Sequence, residues 1–445
     1  MNSQPEKTTD LLISARWTVP VVPHDTVLAD HSVVIADKRI AAVLPSAEAR
    51  RRFPAAREVQ LANHLLIPGL VNTHGHAPMS LFRGIADDVP LPDWLEHHIW
   101  PLEGRLVSEE FVFQGAELAI GEMLLGGTTC FADMYFFPEA VARAATQAHI
   151  RVQLSSPILD FPSVWGQNAD EYIFKATELH DDYRNSELVY TAFGPHAPYT
   201  VSDAPLKKIM VLAEELDIPI HMHVHETASE VDEAVQSSGI RPLQRLADLG
   251  LLSPRLLCVH ATQLNPDEID LIRTAGAHVI HCPESNLKLA SGFCPVSELL
   301  SQNVNVALGT DGCASNNDLD MLSEMKTAAL LAKGVSGDAT ALPAHQALQM
   351  ATLNGAKAMG LDQLIGSIEV GKFADLTAVR LDTLNALPVH NPISHLVYNT
   401  ASSQVSDVWV GGRSVVRDGR LQTMEYRAIQ EIASHWQKEI SEARS

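Results

Sequence analysis

Residues 218–230, IPIHMHVHETASE, carry His221, His223 and His225 on alternate positions, followed at once by Glu226. Strand side chains alternate between faces, so a strand here turns all three imidazoles to one side. Each buried imidazole then needs a hydrogen-bond or metal partner. The run is short, apolar and bounded by helical patterns, as a parallel strand buried on both faces should be. Seven other runs share that texture: LLIPGLVNTH, TTCFADM, IRVQLSS, LVYTAFGPH, LLCVHAT, AHVIHCPES and VNVALGTDG. Helical patterns such as SEEFVFQGAELAIGEMLLG and APLKKIMVLAEELD lie between them. Eight successive β/α units predict an α/β fold, a (β/α)8 TIM-type barrel with its active site at the C-terminal ends of the strands.

The last residues of these runs carry the functional signal. They are His74 and His76, Asp133, Ser155 and Ser156, His196, His223, His260, His281 and Asp311. Histidine or aspartate ends seven of the eight, and the fold would gather them on one face.

Outside the barrel, residues 1–65 and 367–425 read as short alternating strands with Gly-rich turns. The simplest arrangement joins them into one small β-sandwich domain, interrupted by a barrel at 66–366. Residues 426–445 are expected to form a C-terminal helix. With 46% hydrophobic and 19% charged residues, the chain has the balance of a globular enzyme. A net charge of −22 disfavours nucleic acid and anionic membranes as partners and leaves a small neutral or zwitterionic molecule. The five cysteines form no CxxC pair, which points to reduced, buried thiols. MNSQPEKTTD lacks an apolar leader and no later run is long enough to span a bilayer, so the cytoplasm is the expected location. A homo-oligomer is compatible with all of this.

In THGH, His74 and His76 stand two apart and can face one metal from a single strand end, with Gly75 letting the backbone approach closely. An HxH arises about once by chance in a chain this rich in histidine, so its place at the first strand's mouth matters. His223 lies centrally in its strand, with His221 one pleat deeper and His225 at the rim; the two outer imidazoles read as hydrogen-bonded supports. Three nitrogens plus the carboxylate of Asp311, in LGTDG, suit a catalytic zinc with an open position for water. An aspartate before glycine is also an ordinary turn residue. Glu226, three residues past His223, can take and return a proton, although ETASE equally resembles a helix start. His260 can hold the attacking oxygen. Glu103, in WPLEGRL, reads from sequence physics as a helix-start charge.

HxH after strand one, HxxE after strand five, His after six and Asp after eight resemble the amidohydrolase superfamily. Within it, PGLVNTHGHAPM, WPLEGRL, FGPHAPYT, HVHETASE, HCPESNLKLASG and LGTDGCASNNDLDM are similar to the bacterial 5-methylthioadenosine/S-adenosylhomocysteine deaminases, from residue 60 to residue 375. The resemblance implies one zinc per chain on His74, His76, His223 and Asp311. It implies that Glu103 grips ribose hydroxyls, that His196 faces the nucleoside and that Glu226 contacts the ring nitrogen. Binuclear members carry a lysine at the end of strand four; here that run ends TAFGPHA, which favours a single metal. One departure stands out. Members that bind homocysteine place arginines after strand three, whereas here the segment is SSPILDFPSVWG. Phe161, Val164 and Trp165 are expected to cover a small thioether methyl instead, with Lys175, Arg184 or a neighbouring subunit as the other groups able to answer a carboxylate.

The expected activity is therefore zinc-dependent hydrolytic deamination of adenine nucleosides, 5′-methylthioadenosine first, then S-adenosylhomocysteine or adenosine. Glu226, His260 and Asp311 are the expected catalytic groups, and Glu103, His196, Glu226 and Asp311 the substrate contacts. The nearest alternative is the same site acting on guanine, another heteroaromatic amine, or an s-triazine chloride. A non-catalytic metal-binding scaffold would leave an acid beside the open position without a purpose.

Overall fold

The computed structural model describes residues 10–444, so the first nine residues of the 1–65 segment and Ser445 lie outside them. All eight barrel runs are strands. They are β5 (Leu70–Asn72), β6 (Thr128–Asp133), β7 (Arg151–Ile158), β8 (Val189–Pro195), β9 (Ile220–Val224), β10 (Leu256–His260), β11 (His278–His281) and β12 (Asn305–Leu308), preceded by β1 (Leu11–Thr18), β2 (Leu28–Ala36), β3 (Arg39–Pro45) and β4 (Arg57–Pro68). Each barrel strand pairs with its successor in parallel, in the order β5 to β12. The seam between β12 and β5 closes through Thr73, whose amide and hydroxyl both donate to Leu308 O at 3.0 and 2.6 Å. Beyond it, Asp311 N donates to His74 O at 3.0 Å. Gly309 lets the seam close, because a Cβ there would lie 2.8 Å from His74 N and Cβ.

The barrel interior is apolar in the middle, with Leu257, Val259, Ile280, Cys282 and Ala307 in one cluster. Toward the C-terminal rim it turns polar through Ser155, His221 and His223, all buried. The run of buried apolar residues on both faces explains why these segments read as continuous hydrophobic stretches rather than alternating ones.

The remaining strands, β13 (Leu376–Arg380), β14 (Val405–Val410), β15 (Arg413–Arg417) and β16 (Arg420–Leu421), join the first four in one hydrogen-bonded sheet. Its order is β16-β15-β14-β13-β4-β1-β2-β3, and β1 with β4 is its one parallel pair. Both chain ends thus meet at the β4–β13 ladder, over a core of Ile13, Val33, Ile35, Leu376 and Trp409. The C-terminal helix, Tyr426–Arg444, lies on helix Glu109–Leu125. Trp436 packs edge-on against Phe111 at 4.9 Å and donates to Gln114 Oε1 at 2.7 Å. The five cysteines are buried and unpaired. Among the described residues, no helix is long and apolar enough to cross a membrane.

One buried ion pair ties the sheet domain to the base of the barrel. Arg151, at the start of β7, donates to Asp375 from Nε at 2.6 Å and from Nη2 at 3.1 Å, and each side chain is 2% exposed. Asp375 also accepts from Gly411 N at 2.7 Å, and the guanidinium lies over the Phe373 ring. Removing one partner leaves the other charged in the interior. Asp375→Ala is therefore expected to destabilise the protein by about 3–5 kcal/mol in urea unfolding. A loss under about 1 kcal/mol, typical of an exposed pair, would show that the bridge does not hold the two parts together.

Candidate metal centre

β5 ends at Asn72, and the next residues bend His74 and His76 over the C-terminal mouth of the barrel. His223 reaches the same point from β9 and Asp311 from the turn after β12. Three separations link the four donor atoms. His74 Nε2 lies 3.2 Å from His223 Nε2 and 3.3 Å from Asp311 Oδ1, and His76 Nε2 lies 3.3 Å from that same oxygen. Atoms at the corners of a tetrahedron with bonds of about 2.0–2.1 Å to its centre lie about 3.3 Å apart. Three of the six separations have that length; within a wider radius the donors fall into two groups that share His74, one with His76 and Asp311 and one with His223 and His260.

The far side of two of the three rings fixes which nitrogen is offered. His76 Nδ1–H donates to Met134 O at 2.6 Å and His223 Nδ1–H to His196 O at 2.8 Å. His74 Nδ1 meets His221 Nε2 at 2.9 Å, and His221 Nδ1 meets Ser155 Oγ at 3.0 Å. The carbonyls fix Nδ1 as the protonated nitrogen of His76 and His223, and with the His74–His221 pair protonated the same way all three Nε2 lone pairs are left free for a cation. Burial keeps His74 neutral, at about 4, and His223 well below the usual imidazole range. Burial also works against a charge on His76, but the hydrogen bond and charge of Asp311 outweigh it and raise the ring to about 9. Burial alone would raise Asp311; the two imidazoles hold it well below the usual carboxylate range. The charge that draws a proton to His76 is the charge that would attract a metal ion.

The turn that carries Asp311 is strained into place. Asp311, His225, His260 and Ala261 all have φ between 49° and 71° at the barrel rim, an expensive conformation for residues other than glycine. Asp311 is pinned by Ser285 Oγ at 2.7 Å and Ser315 Oγ at 3.0 Å on Oδ2, and by Gly312 N at 2.9 Å on Oδ1.

Around this centre opens a cavity of about 570 Å³. Glu226, His260, His196 and Glu103 all line it, so every sequence-predicted site residue is brought to one place. Glu226 Oε2 lies 3.7 Å from His260 Nε2. Burial, then the charge of Asp311, pushes Glu226 up to about 8. Asn286 Nδ2 donates to His260 Nδ1 at 3.0 Å, which leaves Nε2 as the protonated nitrogen facing the cavity. His260 also falls within ligand reach of His74 and His223. A protonated Nε2 offers no lone pair, so the set containing Asp311 is the better metal site. His196, held near 4 by burial, bonds Thr200 Oγ1 at 3.2 Å. Burial also raises Glu103, which accepts from Tyr135 at 2.6 Å.

The two outer histidines of the opening stretch are supports. His221 backs His74, and His225 Nε2 accepts from Leu243 N at 3.1 Å. Trp165 departs from expectation. It packs on Tyr172, ring centroids 5.8 Å apart, beneath Lys175, and does not line the cavity, whereas Phe161 and Val164 do. Its partner Tyr172 comes from the following helix, which the local segment does not reveal. Neither Lys175 nor Arg184 reaches the cavity; they pair with Glu171 at 2.8 Å and Asp181 at 3.8 Å.

Sequence reasoning passed over several groups. Glu230 accepts from both His225 N (3.0 Å) and Glu226 N (2.8 Å), fixing the turn that aims Glu226. Thr227 Oγ1 accepts from Glu230 N at 3.3 Å, so the T-x-x-E spacing of a capping box was a legible signal. Leu91, Leu95 and Ile99 line the cavity at intervals of four, and Glu103 is the next step of that stripe. A carboxylate continuing an apolar helix face was the signal that marked it. Ser285, Ser315 and Asn286 carried no such pattern.

Residues 65–415 match the amidohydrolase family. The 5-methylthioadenosine/S-adenosylhomocysteine deaminase of Saccharophagus degradans is 52% identical over 436 residues, 98% of either chain. The 5′-deoxyadenosine deaminase of Methanothermobacter thermautotrophicus is 44% identical, covering 90% of this chain and 93% of that one. The crystal structure of an adenosine deaminase from Xanthomonas campestris with bound zinc superposes with a TM-score of 0.96 at 50% identity, over 98% of this chain and 100% of that one. The barrel, the donor set at its mouth and these matches along nearly the whole chain agree: this protein belongs to the amidohydrolase family.

Proposed function

We propose that this protein is a zinc-dependent hydrolytic deaminase of adenine nucleosides, with one zinc per chain on His74, His76, His223 and Asp311. The observation that carries the reading is the placement of Glu226, a carboxyl raised by burial, beside a histidine and aspartate donor set in a cavity of about 570 Å³. The deaminase names of relatives at half identity support the same substrate class.

When bound, zinc supplies Lewis-acid activation of the attacking water. Glu226 accepts a proton from that water and delivers it to the ring nitrogen, making the neighbouring carbon more electrophilic. Burial raises the Glu226 carboxyl, so it takes up a proton more readily than a free carboxylate does. His260 Nε2–H and the Asp311 carboxylate orient the water's oxygen toward that carbon. The oxygen–carbon bond forms, the carbon–nitrogen bond breaks, and ammonia leaves with a proton that came from the water, giving the inosine analogue. His196 borders the nucleoside, and Glu103 accepts the ribose hydroxyls, selecting nucleosides over free bases.

The same machinery could act on guanine or an s-triazine. Ammonia release from adenine nucleosides, with none from guanine and no chloride from a triazine, is the expected outcome of a parallel screen. The reverse pattern would replace this reading with the alternative.

Three further outcomes are expected. Purified protein should contain one zinc per chain, and His223→Ala should lose both metal and activity. Two metals per chain, or full loading of the variant, contradicts the assigned ligand set. Glu226→Gln should keep its zinc yet lose about 10²-fold or more in kcat, equivalent to about 2.7 kcal/mol of transition-state stabilisation. Rates within a few-fold of the parent would remove Glu226 from the proton path.

The third outcome concerns the 5′ substituent. Among the described residues, none that lines the cavity is lysine or arginine, while Phe161, Val164 and Trp100 offer apolar surface. Burying a carboxylate without a partner is costly, and covering a methylthio group gains about 1 kcal/mol. The ratio of kcat/KM should favour 5′-methylthioadenosine over S-adenosylhomocysteine by about tenfold. A ratio near one would reveal a cation that reaches the tail from elsewhere.

A further inference from the structure

The last residue of β6 and the two that follow it each hold a different part of the site. Asp133 Oδ1 accepts from Ala77 N at 2.6 Å, which sets the turn just past His76. Met134 O accepts from His76 Nδ1 at 2.6 Å, and Met134 N donates to Gly75 O at 3.0 Å. Tyr135 then donates its phenolic hydrogen to Glu103 Oε1 at 2.6 Å. The first two anchor a candidate metal ligand. The third reaches across to a different element, the helix Trp100–Leu106 that roofs the cavity.

We propose that Tyr135 is a positioning residue that aims the Glu103 carboxylate and so gives the site its selectivity for ligands bearing a vicinal diol. A glutamate on a short helix has several free rotors and, alone, many orientations of nearly equal energy. The Tyr135 ring is 5% exposed and lies 5.5 Å from Phe136 and 6.5 Å from His76, so its hydroxyl is a rigid anchor. A charge-assisted bond from that anchor occupies Oε1 and fixes the carboxylate plane. Among the described residues, no protein group donates to Oε2, and both side chains line the cavity. Oε2 is therefore presented to an incoming hydroxyl. The lone pairs of the tyrosine oxygen, whose hydrogen is committed to Glu103, can accept from a second one. Two adjacent acceptors match two adjacent hydroxyls.

The inference rests on the reading of Glu103 as the ribose-binding group, and the test separates the two. The probes are adenosine and 2′,3′-dideoxyadenosine, compared by kcat/KM on zinc-loaded protein. The parent should prefer adenosine by about 10²-fold or more, chiefly through KM. Tyr135→Phe, which keeps ring volume and deletes the donor, should cut that preference about tenfold while zinc content stays at the parent level. In a Glu103→Gln background the same change should cost little further preference, because its partner is already altered. A parent without preference would overturn the role of Glu103 and this proposal with it. A discriminating parent whose Tyr135→Phe variant discriminates equally, or loses both substrates to the same degree along with its zinc, would overturn the proposal alone.

Discussion

The site depends on closure of the barrel between its first and last strands. The hydrogen bonds from Thr73 to Leu308 and from Asp311 to His74 join β5 to β12 at the level where both strands end. That seam brings a histidine pair and an aspartate, more than 230 residues apart, to within 3.3 Å. Gly309 is the permissive element, since a side chain there would collide with His74. Without the closure His223 and His260 would still lie side by side on β9 and β10, but the carboxylate would be missing from the donor set.

Holding four polar donors in a buried ring is expensive, and the surrounding structure offsets the cost with directed hydrogen bonds. Two of the three ligand imidazoles lean on backbone carbonyls, whose acceptor role cannot change. His74 leans on His221, and through it on Ser155 of β7, so a layer of the barrel interior that is usually apolar is spent on orientation. Left-handed residues at the rim are retained for the same reason: the backbone at His260 and Asp311 is bent so that their side chains face inward.

Charge decides what this cavity accepts. Among the described residues, its ionisable lining groups besides histidine and tyrosine are Glu103, Glu226 and Asp311, with no lysine or arginine to balance them. Burial raises Glu226, so its carboxyl takes up a proton more readily than a free one. A cation at the donor set offsets Asp311. An uncharged nucleoside base suits this balance.

The sequence by itself determined the eight barrel strands, the chain ends folding back into one sheet domain, and the convergence of His74, His76, His223 and Asp311. These were legible because burial on both faces imposes continuous apolar runs, and parallel strands expose their last residues on one side. The supporting roles of His221 and His225 were readable too, from their places one pleat below and one above His223 and the need of buried imidazoles for partners. Only the tertiary structure decided which way Trp165 faces, because its packing partner Tyr172 comes from the next helix rather than from the loop. It also decided that Ser285, Ser315 and Asn286 brace Asp311 and His260, since short polar side chains in loops carry no periodicity. Glu103 lies between the two cases. Its spacing continued an apolar helix face, yet the hydroxyl that aims it belongs to a residue 32 positions away, and no local pattern encodes a contact across that distance.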